Sequence, residues 1–222
     1  MTIPAQFDSK IHAINIDENR TTCSYAHWEI EFPQGTYLAA HLAEIKGALG
    51  PDWTRSGLVD YYRREDVAAE TKFIAAMIWG HEAPTGSRRD SRGPWKLSKM
   101  FVDASAAQAV IRSVKVETAA EITSAYKLLN KTLDRCGPNF FTKHFYFTGK
   151  AQGLKQYPLI FDNRVATGLV KIALGNNSNL AMVNVSAART PKAYLEYLAY
   201  ANREAKRIGC EPDQIEYFLF GL

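Results

Sequence analysis

Residues Cys136–Gly168 read CGPNFFTKHFYFTGKAQGLKQYPLIFDNRVATG, and this stretch decides how the rest of the chain is understood. The turn Gly137-Pro138-Asn139 leads into a helical segment starting near Phe140. Lys143 lies about one turn into that segment, among Phe140, Phe141, Phe145, Tyr146 and Phe147. Partial burial among those rings would lower its pKa and raise the fraction of neutral, nucleophilic amine. Nineteen positions later Asp162 closes the apolar run PLIF and stands where a side chain would cap a helix over Asn163–Lys171. The pair has two readings, a solvated lysine with an ordinary cap, or a nucleophile with its carboxylate. They are compatible, because a capping carboxylate is held rigidly and can still face a pocket.

Working outward, Thr118–Leu133 reads as a helix with Ile122, Ala125, Tyr126 and Leu129 on one face, stopped at Cys136-Gly137-Pro138. Residues 131–147 are then two helices joined by a hairpin. The exposed N–H groups at the start of the second helix suit a phosphate, with Gly137, Asn139 and Thr142 as candidate contacts. Upstream, Glu65–Trp79 is helical, and residues 80–95 (GHEAPTGSRRDSRGPW) form a long loop with three glycines and two prolines. From His81 to Met100 five cations (Arg88, Arg89, Arg92, Lys96, Lys99) face two anions (Glu82, Asp90). Of these, Arg88, Arg89, Arg92 and Lys96 are candidates for phosphate contacts. Trp79, His81 and Trp95 flank the same loop and offer rings for stacking on a base.

Elsewhere, Thr36 caps a helix through Ile45 that Gly50-Pro51 stops. Residues 53–66 hold a short helix and a turn, Ala104–Val114 is another short helix, and Leu174–Thr190 is polar and loop-like. Thr190-Pro191 opens a long helix ending at Gly209, and Pro212–Leu219 forms a last turn or two. Residues 1–35 are expected to be irregular, with Ser24–Phe32 (SYAHWEIEF) as a strand. The expectation is one mainly α domain over 1–222 with eight or nine helices.

Composition narrows the class. At 46% hydrophobic and 23% charged the chain is neither disordered nor membrane-spanning, since no apolar run approaches roughly 20 residues. The start, MTIPAQFDSK, lacks the pattern of a signal peptide, so a cytoplasmic protein is expected, and it is expected to be a monomer. Three widely spaced cysteines (Cys23, Cys136, Cys210) suggest reduced thiols, and no histidine spacing suggests a metal ligand. No metal and no cofactor are expected. A net charge of +4 permits a polyanionic partner without requiring one.

With these residues in view, the chain resembles the helix-hairpin-helix DNA glycosylase superfamily, which joins a hairpin and lysine to an essential aspartate about this far downstream. GPNFFTK and PLIFDNRV resemble, more narrowly, bacterial proteins with the 8-oxoguanine DNA glycosylase fold. WGHEAPTGSRRDSRGPWKLSKM and EPDQIEYFLFGL are similar to flanking blocks of that family, and the likeness covers about residues 75–222. Two departures stand out. Proline replaces a backbone donor in the usual G-x-G hairpin, and no cysteine cluster follows residue 162 to hold an iron–sulfur centre. The resemblance implies a mainly α helix-hairpin-helix glycosylase fold with a less regular N-terminal segment. It implies double-stranded DNA carrying a modified base as partner, with the base extruded and excised. Lys143 would attack the sugar and Asp162 would stabilise its cationic transition state, with a lyase nick following from the Schiff base. It also implies oxidised guanine, or a hypermodified phage base such as glucosylated hydroxymethylcytosine, as the substrate. The alternatives are a non-catalytic helix-hairpin-helix DNA-binding module and, more remotely, a helical interaction protein in which both residues are structural.

Overall fold

The computed structural model describes residues 1–82, 92–101, 104–175 and 190–222. Among these residues it contains twelve α-helices and one small sheet. In chain order the helices are α1 (Asp8–His12), α2 (Tyr25–Glu31), α3 (Tyr37–Leu49), α4 (Arg55–Arg63), α5 (Ala69–His81) and α6 (Gly93–Met100). They continue as α7 (Ala104–Arg112), α8 (Ala119–Thr132), α9 (Pro138–Ala151), α10 (Asn163–Ala173), α11 (Pro191–Ile208) and α12 (Pro212–Phe220). The strands β1 (Thr21–Thr22) and β2 (Asp52–Trp53) pair antiparallel, with Thr21 opposite Trp53. Among the described residues no helix is long and apolar enough to cross a membrane.

The helix at the centre is α9. From Phe141 to Gly149 every residue is buried, and Phe141, Phe145, Tyr146 and Phe147 are wholly inaccessible. A helix buried on all sides needs neighbours on all sides, and α4, α5 and α8 pack against it. Its partner α5 is of the same kind, with Phe73–Ile78 wholly buried. Side-chain caps start the flanking helices as the sequence indicates. Thr36 accepts from the Ala39 N–H and Thr190 from the Ala193 N–H, while Thr118 and Glu121 form a reciprocal capping box.

Four expectations are corrected. Residues Ser24–Phe32 do not form a strand; α2 occupies Tyr25–Glu31, because the buried rings Tyr25, Trp28 and Phe32 recur at helical spacing while Ile30 points to solvent. Next, α5 begins four residues later than read, at Ala69, and runs through Gly80 to His81. The loop read as 80–95 loses both ends to helices, since α6 starts at Gly93-Pro94 and already contains Trp95 and Lys96. Finally, helices number more than the eight or nine expected, because α1, α2 and the short α6 carry too few turns to show a period. Most of 174–190 lies outside the described residues.

The N-terminal segment is less regular than the rest, and its contacts give it a function in the fold. Its Ile3 N–H donates to buried Glu204, Arg207 of α11 reaches Asp8 and the Ile3 carbonyl, and Gln214 of α12 donates to the carbonyls of Ile11, His12 and Ile14. This stitching carries Asn19 and Thr21 over to α12, where they wall the cleft described next. Gly168 of α10 lies so close to α12 that a Cβ there would be 2.1 Å from the Leu219 carbonyl oxygen. Only glycine lets the two helices meet at that distance.

Candidate functional site

Between α5, α9 and α12 lies a cleft of about 90 Å³, whose lining includes Arg55, Trp79, Gly80, Glu82, Lys143, Asp162 and Glu216. Lys143 enters it from α9 and Asp162 from the cap of α10. The Nζ of Lys143 stands 3.7 Å from Asp162 Oδ2 and donates to the Asn139 carbonyl one turn back. Asp162 divides its work between its two oxygens: Oδ1 accepts from the Arg164 and Val165 N–H groups, at 3.0 and 3.1 Å. That cap fixes the carboxylate and leaves Oδ2 turned to the lysine. Thr142 sets the distance between them. Its hydroxyl donates to the Pro138 carbonyl and accepts from the Phe161 N–H at 3.1 Å, tying the residue before Asp162 to the helix that carries Lys143.

Burial governs the electrostatics. Desolvation holds the Lys143 amine below the usual lysine range, opposed first by Asp162 and then by Glu216. The aliphatic part of Lys143 runs along α5, where a Cβ on Gly80 would come within 2.8 Å of its Cδ. Gly80 is therefore the notch through which the lysine reaches the cleft. The Phe140 ring lies beneath the ammonium at 5.5 Å, with Lys96 over the same ring at 5.7 Å.

The remaining candidates separate by position. Trp79 lines the cleft, edge-on to Phe147. His81 does not line it. Its ring is buried and stacked on Phe140 at 4.1 Å, and Gly93 packs so closely on it that a Cβ there would lie 2.7 Å from the His81 Cβ. Trp95 faces the hairpin, where Arg135 lies over its ring at 4.6 Å; Arg135 itself adopts a left-handed φ of 58° in the hairpin. Thr142 is fully buried with its hydroxyl engaged on both sides, so it positions Asp162 and is closed to phosphate. Gly137 and Asn139 sit half-buried at the start of α9, where the space around Gly137 is open. Arg92 is exposed just ahead of α6. Arg88 and Arg89 lie outside the described residues. On the far side of α9, His144 bonds to the Tyr62 hydroxyl through Nδ1, and burial pushes its pKa down to about 3.

Several cleft residues escaped sequence reading: Gly80, Glu82, Arg55, Glu216, Asn19 and Thr21. Glu82 accepts from the Trp28 indole at 2.6 Å, and Arg55 pairs with Glu216 through two bonds at 2.6 and 3.0 Å. The six cleft residues come from four separated segments, and no local pattern links them. Among the described residues no group of three or more His, Cys, Asp or Glu side chains is placed to hold a metal ion.

A lysine whose pKa burial holds below its ordinary range, an immobilised carboxylate beside it and a central buried helix carrying the lysine form one arrangement. The family described as "Putative 8-oxoguanine DNA glycosylase OGG-like protein" matches residues 14–220. The chain belongs to this family. No curated protein and no solved structure matches the chain significantly. The family match extends across α2–α12 and includes the N-terminal region from residue 14, where the resemblance read from the sequence begins near residue 75. Asn19 and Thr21 of the OGG-like cleft fall inside it.

Proposed function

We propose that this OGG-like protein is a DNA glycosylase in which Lys143 is the nucleophile and Asp162 the essential carboxylate, acting on duplex DNA with oxidised guanine as the excised base. The observation that carries the reading is the geometry of the pair: a buried amine whose desolvation favours the neutral form, 3.7 Å from a carboxylate oxygen that the cap of α10 leaves unused. The neutral Lys143 amine forms a bond to C1′ of the extruded nucleotide as the C1′–N9 bond breaks. The base leaves with the bonding electron pair and takes up a proton. Asp162 stabilises the positive charge that develops on the sugar and accepts a proton from the attacking amine. Opening of the sugar ring leaves a Schiff base between Lys143 and C1′. Hydrolysis of that Schiff base returns the amine, and β-elimination from it nicks the strand.

The cleft is below the roughly 300–1,000 Å³ of a typical small-molecule site, so base entry requires the rim to open. Trp79 lines the cleft with Lys143, and the Phe140 ring lies beneath both Lys143 and Lys96. Exposed Arg92 and the open start of α9 at Gly137 and Asn139 are assigned to the phosphates, and the protein is read as a cytoplasmic monomer.

The test is borohydride trapping on duplexes carrying 8-oxoguanine, undamaged guanine or a glucosylated hydroxymethylcytosine. The expected result is a covalent adduct with the 8-oxoguanine duplex that Lys143→Ala abolishes, together with release of the free base. Base release that survives Lys143→Ala overturns the lysine as nucleophile. Trapping confined to the glucosylated duplex replaces oxidised guanine as the base. Retained DNA binding with no release from any duplex leaves a non-catalytic binding module.

A further inference from the structure

A second pair of opposite charges lies in the cleft, and the reaction proposed above makes no use of it. Arg55 at the start of α4 and Glu216 in α12 are 2% and 1% exposed, with Nη1 donating to Oε2 at 2.6 Å and Nη2 to Oε1 at 3.0 Å. Arg55 is engaged further. With the Asn19 amide turned to present its oxygen, Nε and Nη2 donate to it at 3.2 and 3.3 Å, and the guanidinium lies over the rings of Tyr146 and Tyr217. Burying two full charges is costly, and apolar residues of similar volume often hold two helices together as well or better. Joining the start of α4 to α12 therefore gives no reason for a charged pair. Its location gives one: both residues line the cleft that Lys143 and Asp162 enter.

The charged and titratable groups that face Lys143 come from every element around it. Asp162 stands at the cap of α10, Glu216 on α12, Arg55 on α4, Cys136 in the hairpin and Glu82 beyond the end of α5. Burial pushes the Cys136 thiol well above its ordinary range, so it stays neutral. Asp162 and Glu216 favour the ammonium form of Lys143, and Arg55 opposes it.

We propose that Arg55 and Glu216 are a charge-balancing pair for the Lys143 site: Arg55 cancels the Glu216 carboxylate, so Glu216 does not join Asp162 and Glu82 in holding the Lys143 proton. This rests on the reading of Lys143 as an amine nucleophile. Both residues are positioning residues, acting through Lys143 and touching no reacting atom. Their signature is opposite in sign. Removing the Glu216 charge leaves Arg55 facing the lysine and favours the neutral amine. Removing Arg55 leaves a second carboxylate and favours the ammonium. A merely structural pair gives no such opposition.

The experiment follows two readouts against pH in the full-length protein. One is the rate at which Lys143 is methylated by formaldehyde and cyanoborohydride, read by mass spectrometry without DNA. The other is borohydride trapping on the 8-oxoguanine duplex. Glu216→Gln is expected to lower the midpoint of Lys143 modification by about one pH unit. Arg55→Met is expected to raise it by less, because an unpaired buried carboxyl can take up a proton whereas a guanidinium cannot lose one. The double variant Arg55→Met/Glu216→Leu, whose charges are both gone, is expected to return near the wild-type midpoint. It decides the matter if either single variant fails to give a cooperative melt. Single variants shifting in the same direction, or a double variant shifted as far as Glu216→Gln, overturn the proposal. Opposed shifts in modification with no DNA trapped under any condition support the pair and overturn the glycosylase reading. Trapping that depends on Lys143 with no opposed shifts does the reverse.

Discussion

The two ion pairs of the cleft share a wall and differ in construction. Lys143 and Asp162 meet at 3.7 Å through one contact, with 9% and 17% of their side chains exposed, whereas Arg55 and Glu216 meet through two short bonds and are sealed. In the sealed pair both carboxylate oxygens are taken by one guanidinium, so neither charge has capacity left for a substrate. In the open pair Asp162 gives one oxygen to the start of α10 and keeps the other, and the lysine donates to a carbonyl of its own helix. The sealed pair has no oxygen left for another partner, whereas the open pair keeps Asp162 Oδ2 beside the lysine. The difference predicts that damage to the sealed pair is read in folding and in the ionisation of Lys143, and damage to the open pair in turnover.

The largest effect is expected from Glu216→Ala, which strands the Arg55 guanidinium in the interior and costs about 3–5 kcal/mol, measured by denaturant unfolding. A loss under 1 kcal/mol would break the contrast. Asp162→Asn is expected to lower the rate of base release by about 10²–10³-fold, since asparagine still caps a helix but cannot balance a cationic sugar. Its melting temperature should stay near wild type, whereas Asp162→Ala should lose about 1 kcal/mol as well. Thr142→Val leaves the buried Phe161 N–H without its acceptor and should cost about 1–3 kcal/mol, with a fall in base release as Asp162 drifts from Lys143. Gly80→Ala should have the smallest effect. The added methyl meets the flexible end of Lys143 at 2.8 Å and the edge of the Phe140 ring at 3.3 Å, so stability falls little while release drops about tenfold, a displacement of about 1.4 kcal/mol at the transition state.

Away from the active face, His144 supplies a pH test of the same central helix. Its folded pKa near 3 lies below the ordinary value of 6.5, so the unfolded chain binds a proton that the folded one refuses. Stability from this group is complete above about pH 6.5 and is lost as pH falls toward 3, by up to about 1.4 kcal/mol per unit. Unfolding curves across that window should steepen accordingly, and His144→Phe should flatten them.

Much of this protein was legible because its signals are local. Thr36, Thr118, Thr190-Pro191 and Asp162 mark helix starts through a hydroxyl or carboxylate that reaches only two or three residues ahead, and all four cap the helices they precede. The lysine and aspartate stood out by spacing and chemistry together. Ser24–Phe32 was misleading because two turns of helix, with apolar residues at 28, 30 and 32, also satisfy a period of two. Only burial separates the cases, and it leaves Ile30 75% exposed. His81 and Trp95 were assigned to the base pocket by proximity to a glycine-rich stretch, but a ring on a helix faces one direction only. Those directions are toward Phe140 for His81 and toward Arg135 for Trp95.

By itself, then, the sequence determined the helical class, the hairpin at Gly137, and the two residues on which the proposed chemistry turns, because each is written in neighbouring side chains and backbone reach. Tertiary structure alone decided that Gly80 opens the way for Lys143, that Thr142 serves the protein and not a phosphate, and that Arg55 and Glu216, 161 positions apart, face the same cleft. Close packing makes those assignments. What a side chain can do depends on its charge and shape, and whether it does so depends on which distant helix fills the space beside it.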